Sequence, residues 1–206
     1  DIVVGFLYRR ADRIITVTEG IKKTIVKTRG LDPDRIDVIR AGVDFESMQY
    51  EHGSNEAKKR LSLEGRFVVT YSGTVGNAHG LDSLFATATL LRTDHPDVTI
   101  LIVGSGAEEE MLRSEYAEHE AHNVRMLGQK ERSELPSILA ASDIGLAVLK
   151  PKLVFRTVVP TKIYEYMAAG LPVLTNVAGE TEQIIAESGA GIVVPNGDAS
   201  AVAKTI

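Results

Sequence analysis

From about residue 67 to the last residue, short apolar runs alternate with segments whose apolar positions recur every three or four residues. The runs at 67–72, 98–104, 124–127, 144–149, 172–176 and 191–194 are too short for helices and mostly β-branched, so they predict strands. Several are apolar on consecutive positions rather than alternate ones, as expected when both faces of a strand are covered; this predicts a parallel sheet. The segments 81–91, 108–116, 133–140, 162–169, 180–187 and 200–206 carry the helical period with one buried face. Strand, helix and strand joined by right-handed crossovers make a Rossmann-like α/β fold, a parallel sheet with helices on both faces.

The beginning of the chain departs from this rhythm. Residues 11–18 read as a helix end followed by a buried strand, with Thr18 placed to cap a helix over 19–28. Residues 35–39 predict another short strand. The stretch from Ala41 to about Gly65 is polar, contains Gly42, Gly53 and Gly65, and has no long apolar run, which places a domain junction near residues 42–44. The expected division is 1–43, the last elements of a preceding domain and a hinge, and 44–206, the Rossmann-like domain, with truncation at its C-terminal end left open. The absence of an opening βαβ unit suggests a start inside a larger protein.

Composition narrows the function. The 206 residues carry a net charge of −5 with no clustered Lys and Arg, which argues against a nucleic-acid binder. There is no cysteine, hence no disulfide framework and no thiolate metal site. His52, His95, His119 and His122 lack metal or nucleophile spacing and read as surface histidines, and Glu115, Glu118 and Glu120 as a solvated helix face. No metal is expected. The apolar runs fall far short of the roughly 20 residues that cross a bilayer.

Three segments could carry chemistry. Tyr71-Ser72-Gly73-Thr74-Val75-Gly76-Asn77-Ala78-His79-Gly80 follows a buried strand and opens a helix, where close-approaching amides and the helix dipole suit a diphosphate. Its spacing is neither G-x-G-x-x-G nor a Walker motif, and from this segment alone a tight βα turn is the slightly favoured account. In Val103-Gly104-Ser105-Gly106 the acids Glu108, Glu109 and Glu110 follow at once and would repel phosphate, so this loop reads as mainly structural. The third is Val159-Pro160-Thr161-Lys162-Ile163-Tyr164-Glu165-Tyr166-Met167, with Thr161 as N-cap. A lysine in a first helical turn opposes the dipole unless an anion faces it, and an ionised Glu165 suits vicinal ribose hydroxyls. An exposed Lys162–Glu165 ion pair is the alternative.

Residues 160–173 reproduce P-[ST]-K-[LI]-x-E-[YA]-M-A-x-G-x-P-V, and the sequence resembles glycosyltransferase family 4, retaining enzymes of the two-domain GT-B fold, especially its bacterial surface-polysaccharide branch. The likeness runs along nearly the whole chain. Residues 10–18 resemble the family's adriiavS element and 36–44 its I-x-V-I-x-N-G-V-D hinge. Tyr71-Ser72-Gly73 with His79-Gly80-Leu81 resembles the start of the donor domain, and 102–106 its i-x-G-x-G turn.

The resemblance implies that Glu165 is the second acid of the E-x7-E motif and binds the donor ribose. It makes Lys162 the diphosphate ligand, helped by amides at Gly73, Thr74, Val75 and Gly76, with Thr161 and His79 alongside, and it places the nucleobase at Leu127-Gly128-Gln129. Lys162 and Glu165 are then the expected catalytic pair. The sequence departs from the pattern in three places: Thr157 stands where the first acid belongs, His79 where a lysine is common, and Thr74 where a basic residue follows the first strand. Lys152 or Arg156 could compensate, or form only a surface loop with scattered charges. The implied activity is retaining transfer of a hexosyl or N-acetylhexosaminyl group from a nucleoside diphosphate sugar, UDP-linked, to a lipid-linked or saccharide acceptor in polysaccharide synthesis. No cofactor beyond the donor is expected. A cytoplasmic site is implied, with peripheral membrane contact through the preceding domain, and an isolated donor half is expected to turn over poorly. Rival readings are a GT-B-fold UDP-sugar 2-epimerase and a noncatalytic interaction module.

Overall fold

A computed structural model describes residues 2–48, 54–119, 121–194 and 198–206. The readings of His52, Gly53 and Glu120 lie outside the described residues. The chain opens with helix α1 (Ile2–Arg10), strand β1 (Ile14–Thr16), helix α2 (Glu19–Arg29) and strand β2 (Ile36–Val38). β1 and β2 pair in parallel, and Ile14, Ile25, Leu31 and Ile36 form their small core. Thr18 caps α2 as expected: its side chain accepts the Ile21 N–H at 3.1 Å.

The polar stretch after residue 41 is not plain linker. It holds two short helices, α3 (Phe45–Met48) and α4 (Asn55–Arg60). Neither has a hydrophobic period to announce it. The Ser54 side chain caps α4 by accepting the Ala57 N–H, and α4 buries only Ala57. It is tied down by Lys58, whose ammonium lies 2.8 Å from Asp143, the residue whose carboxylate also accepts the Val68 N–H.

The main sheet contains β3 (Phe67–Ser72), β4 (Val98–Val103), β5 (Val124–Gly128), β6 (Ile144–Ala147), β7 (Val173–Thr175) and β8 (Gly191–Val193). All pairs are parallel and the spatial order is β5-β4-β3-β6-β7-β8. Between the strands run α5 (Ser83–Asp94), α6 (Glu109–Glu118), α7 (Leu135–Ala140), α8 (Thr161–Ala168) and α9 (Glu180–Ser188), with α10 (Ala199–Thr205) last. Val69, Tyr71, Ile100 and Ile102 point to one face and pack on α5, α6 and α10. Their neighbours Val68, Leu101 and Val103, with Ala147 and Val173, point to the other, where α3, α7, α8 and α9 cover them. Full coverage of both faces is why these strands read as unbroken apolar runs.

The small opening unit touches the large one at the first turn of α2. Thr18 Oγ1 donates to the Thr157 carbonyl at 2.5 Å, and a Cβ on Gly20 would lie 2.9 Å from Thr157 Cα. From α9, the carboxylate of Glu180, only 10% exposed, accepts the Gly20 N–H at 3.0 Å and the Glu19 N–H at 3.4 Å. Helix-opening amides have no partner within their own helix, so a carboxylate brought from another element satisfies them and offsets the dipole.

Candidate functional site

Strand order reverses direction at β3 and β6: from β3 the chain first builds toward β5, then returns to build toward β8. The carboxyl ends of such strands splay apart and leave a crevice. Here the β3–β6 ladder covers only Val69↔Ile144 and Thr70↔Gly145. Beyond it Tyr166 of α8 takes over, accepting the Ser72 N–H at 2.8 Å and donating to the Leu146 carbonyl at 3.2 Å. The ring packs against Gly145, where any Cβ would collide with it. Burial raises the Tyr166 phenol's pKa, so it remains a neutral donor and acceptor. This rivet fixes α8, and with it the motif at its start, to the mouth of the crevice.

A cleft of about 560 Å³ opens at this mouth, bounded by the loops after β3, β4 and β5 and by the start of α8. Lys162 is 8% exposed, and its Nζ has no hydrogen-bond partner among the described residues. The ammonium rests 3.4 Å from the centroid of the Tyr71 ring, beneath Gly73. Tyr71 is itself fixed, its hydroxyl donating to the Thr74 carbonyl at 2.7 Å. A cation over an aromatic face gains electrostatic attraction, but the ring does not replace the hydrogen bonds lost with water. Burial therefore pushes the lysine down to about 7, with the nearby Glu165 carboxylate acting against it. The alternative, a surface ion pair between Lys162 and Glu165, does not form: the lysine turns inward to Tyr71, and the Glu165 carboxylate faces the cleft without a bonded partner among the described residues.

Thr161 is the first residue of α8 rather than its cap; Pro160 holds the cap position without a side-chain capping bond, its carbonyl accepts the Ile163 N–H at 3.0 Å, and the Thr161 and Lys162 amides are left without a partner among the described residues. Thr161 lines the cleft with Gly73, Thr74 and His79. His79 packs edge-on to Tyr71, its Nδ1 lies 3.3 Å from the Gly76 carbonyl, and burial and the nearby Lys162 both lower its pKa. Of the four amides at 73–76, Gly73 N–H donates to Val103 O at 2.8 Å and Val75 N–H to Ser105 O at 2.9 Å, leaving those of Thr74 and Gly76. Val75 is fully buried in the main core and contributes no surface to the cleft. Gly128 stands behind the cleft wall, its carbonyl accepting the Gly104 N–H at 2.8 Å.

The loop at 103–106, expected to be mainly structural, also borders the cleft through Gly104 and Ser105. Gly104 has φ +137°, outside what other residues adopt readily, and a Cβ there would strike the Gly73 carbonyl; a Cβ on Gly106 would strike the Val75 carbonyl. The two loops thus lie backbone on backbone. Lys130 and Arg132, which sequence reasoning missed, bring further positive charge to the wall; their position just past a strand end was the available signal. Lys152, Arg156 and Thr157 do not line this cleft. Among the described residues no group of acids and histidines is arranged to hold a metal ion, and no helix is long and apolar enough to cross a membrane.

Strand order and the cation-bearing cleft at the reversal point define a doubly wound, Rossmann-type α/β domain suited to an anionic ligand. Two family models cover the chain, that for "Glycosyl transferases group 1" over residues 54–206 and that for "Glycosyltransferase Family 4" over residues 2–47. The chain belongs to the group 1 glycosyl transferases. Among curated relatives it is 22% identical to spore coat protein SA of Bacillus subtilis, over 88% of this chain and 51% of that protein. It is 26% identical to the D-inositol 3-phosphate glycosyltransferase of Salinispora tropica, over 95% of this chain and 43% of that protein. The chain thus spans about half the length of the curated relatives it matches. Among solved structures, the Anabaena protein Alr3699/HepE in complex with UDP-glucose superposes with a TM-score of 0.78 at 20% identity, covering 98% of this chain and 55% of that one. WaaG, a glycosyltransferase involved in lipopolysaccharide biosynthesis, gives 0.78 at 16% identity, covering 94% and 52%. These neighbours share the GT-B fold.

Proposed function

We propose that this chain is the donor-binding portion of a retaining glycosyltransferase that transfers a hexosyl or N-acetylhexosaminyl group from a UDP-sugar to a lipid-linked or saccharide acceptor. Residues 44–206 form the donor domain in this reading and residues 1–43 the end of the acceptor-side domain. The protein works in cell-surface polysaccharide synthesis in the cytoplasm, against the inner membrane face. The observation that carries the reading is the buried ammonium of Lys162 at the strand-reversal crevice, without a hydrogen-bond partner among the described residues and beside Glu165, likewise without one among them. An ammonium without hydrogen bonds in a protein interior is costly unless an anion completes it. The UDP-glucose complex of the Anabaena neighbour supports UDP as the nucleotide.

When the glycosidic bond to the diphosphate breaks, negative charge grows on the leaving oxygens. Groups that stabilise that charge more than the ground state lower the barrier. Lys162, the Thr74 and Gly76 amides and the uncapped start of α8 supply such groups, with His79 as a further donor. Glu165 accepts from the ribose hydroxyls, and the nucleobase lies along the segment that follows Gly128, beside Gln129.

Calorimetric titration with UDP and dUDP tests the division of labour. Lys162→Ala and Glu165→Ala should each weaken UDP binding by about tenfold or more, the scale of a charge-assisted hydrogen bond. Only Glu165→Ala should lose the preference for UDP over dUDP. A wild-type chain that stays folded and binds no UDP at millimolar concentration would remove the reading.

A further inference from the structure

A second cavity, of about 410 Å³, lies beyond the carboxyl ends of β6 and β7 and adjoins the cleft that holds Lys162. Two pieces of backbone join the two spaces. The turn Asn77–His79 presents His79 to the cleft, and on its other side stands Lys150, which lines the cavity. The Lys150 Nζ lies 2.7 Å from Asn77 Oδ1, and its N–H donates to the Ala78 carbonyl at 2.9 Å. The second piece is the segment that leaves the 3-10 turn Leu153–Thr157: Arg156 lines the cavity, while Pro160 and Thr161 line the cleft. A group attached to a diphosphate held at Lys162 and the loop after β3 therefore has this cavity next to it.

The polar side chains of the cavity are unevenly matched. Lys150, Lys152 and Arg156 bring three positive charges and Glu182 one negative charge. Glu182 already accepts the Gly179 N–H at 3.3 Å, and Asn176 uses both ends of its amide on the Leu149 backbone, at 2.9 Å each. Lys152 and Arg156 form no ion pair among the described residues. Ammonium and guanidinium groups only donate, whereas each hydroxyl of a neutral sugar also needs an acceptor for its own proton, which these side chains barely offer. A carboxylate only accepts, so it completes the cations and asks for nothing the wall lacks. Leu149, Phe155 and Val177 make the floor apolar, a surface on which the C–H face of a pyranose ring can lie.

We propose that this second cavity receives the sugar of the donor and selects one that bears a carboxylate, a hexuronosyl group, with its ring over Phe155 and its carboxylate on Lys152 and Arg156. The assignment rests on the donor reading above and narrows the hexosyl group named there. Lys150, tied to Asn77, holds the shared wall in place and adds its charge to the same side.

The test is calorimetric titration of the full chain with UDP, with the neutral donors UDP-glucose and UDP-galactose, and with their oxidised counterparts UDP-glucuronate and UDP-galacturonate. One oxidised donor should bind at least about tenfold tighter than its neutral counterpart, the scale of a charge-assisted hydrogen bond. The double variant Lys152→Gln with Arg156→Gln should bring that pair to within about twofold of each other and leave the affinity for UDP unchanged. The proposal is overturned if neither oxidised donor exceeds its neutral counterpart, or if the preference survives the double variant. A parallel loss of UDP binding in that variant also overturns it, since the two cations would then serve the diphosphate. Binding of UDP and the neutral donors with no gain from the carboxylate removes this inference alone. Failure of UDP to bind a folded wild type removes the donor reading, and this inference with it.

Discussion

The ammonium of Lys162 lies 3.4 Å from the ring centroid of Tyr71 and makes no hydrogen bond among the described residues. Its folded-state pKa is pushed down to about 7 from an ordinary 10.5. Between those two values the unfolded chain binds a proton that the folded chain does not, so folding gains stability as pH rises through that window. Below it the lysine is charged in both states and the burial cost is felt in full. Lys162→Met should therefore stabilise the fold most near about pH 6, with the gain shrinking toward about pH 10. Thermal unfolding of both proteins across that range measures it; a gap independent of pH contradicts the assignment. Donor binding above about pH 7 should also take up a proton, visible as a dependence of binding enthalpy on the buffer's ionisation enthalpy.

Tyr166→Phe keeps the ring against Gly145 and removes only the hydroxyl. The buried Ser72 N–H and Leu146 carbonyl then lose a partner, at a cost of about 1–3 kcal/mol. Urea denaturation should show the midpoint fall with the slope unchanged. UDP binding should weaken too, because the same hydroxyl pins α8 to the mouth of the crevice.

Glu180→Ala should release the start of α2. Losing a carboxylate cap costs about 1 kcal/mol, and the Gly20 amide should exchange with solvent faster while the amides of β3 and β4 keep their protection. The Arg40 contact adds little, at 3.6 Å with the arginine side chain 59% exposed. Unchanged exchange at Gly20 would mean that the carboxylate is not what holds the two units together.

Gly104→Ala should be among the most damaging single-methyl changes in the chain, since the added carbon meets the Gly73 carbonyl and the backbone sits at φ +137°. A loss of about 2 kcal/mol or more is expected from strain and overpacking together. Gly30→Ala, also at positive φ but with open space around it, should cost about 1–2 kcal/mol. Comparing the two melts separates collision from backbone strain.

The sheet was legible because its strands are covered on both faces and leave nearly unbroken apolar runs. Strand β3 was read at its observed limits, and β6 was read two residues too long because Leu149 continues the apolar run while pairing with the Asn176 side chain instead of a strand. Helices α3 and α4 were invisible because each is too short to show a period: α3 is anchored by one buried side chain, Met48, and α4 by a cap and an ion pair. Lys162 could be singled out from its place at a helix start, but not its burial, because the Tyr71 ring that receives it lies about ninety residues away along the chain. The cations at Lys130 and Arg132 sit in a loop with no periodicity, and only the strand order brings them to the cleft.

The stacked glycine loops after β3 and β4 have a mechanical consequence. With Gly104 seated on the Gly73 carbonyl and Gly106 on that of Val75, neither loop can shift without carrying the other. The cleft is therefore largely pre-formed: Tyr166 holds α8 to β3 and β6, a ligand arriving there meets a surface already in shape, and whatever closing motion follows belongs to the segment after β5.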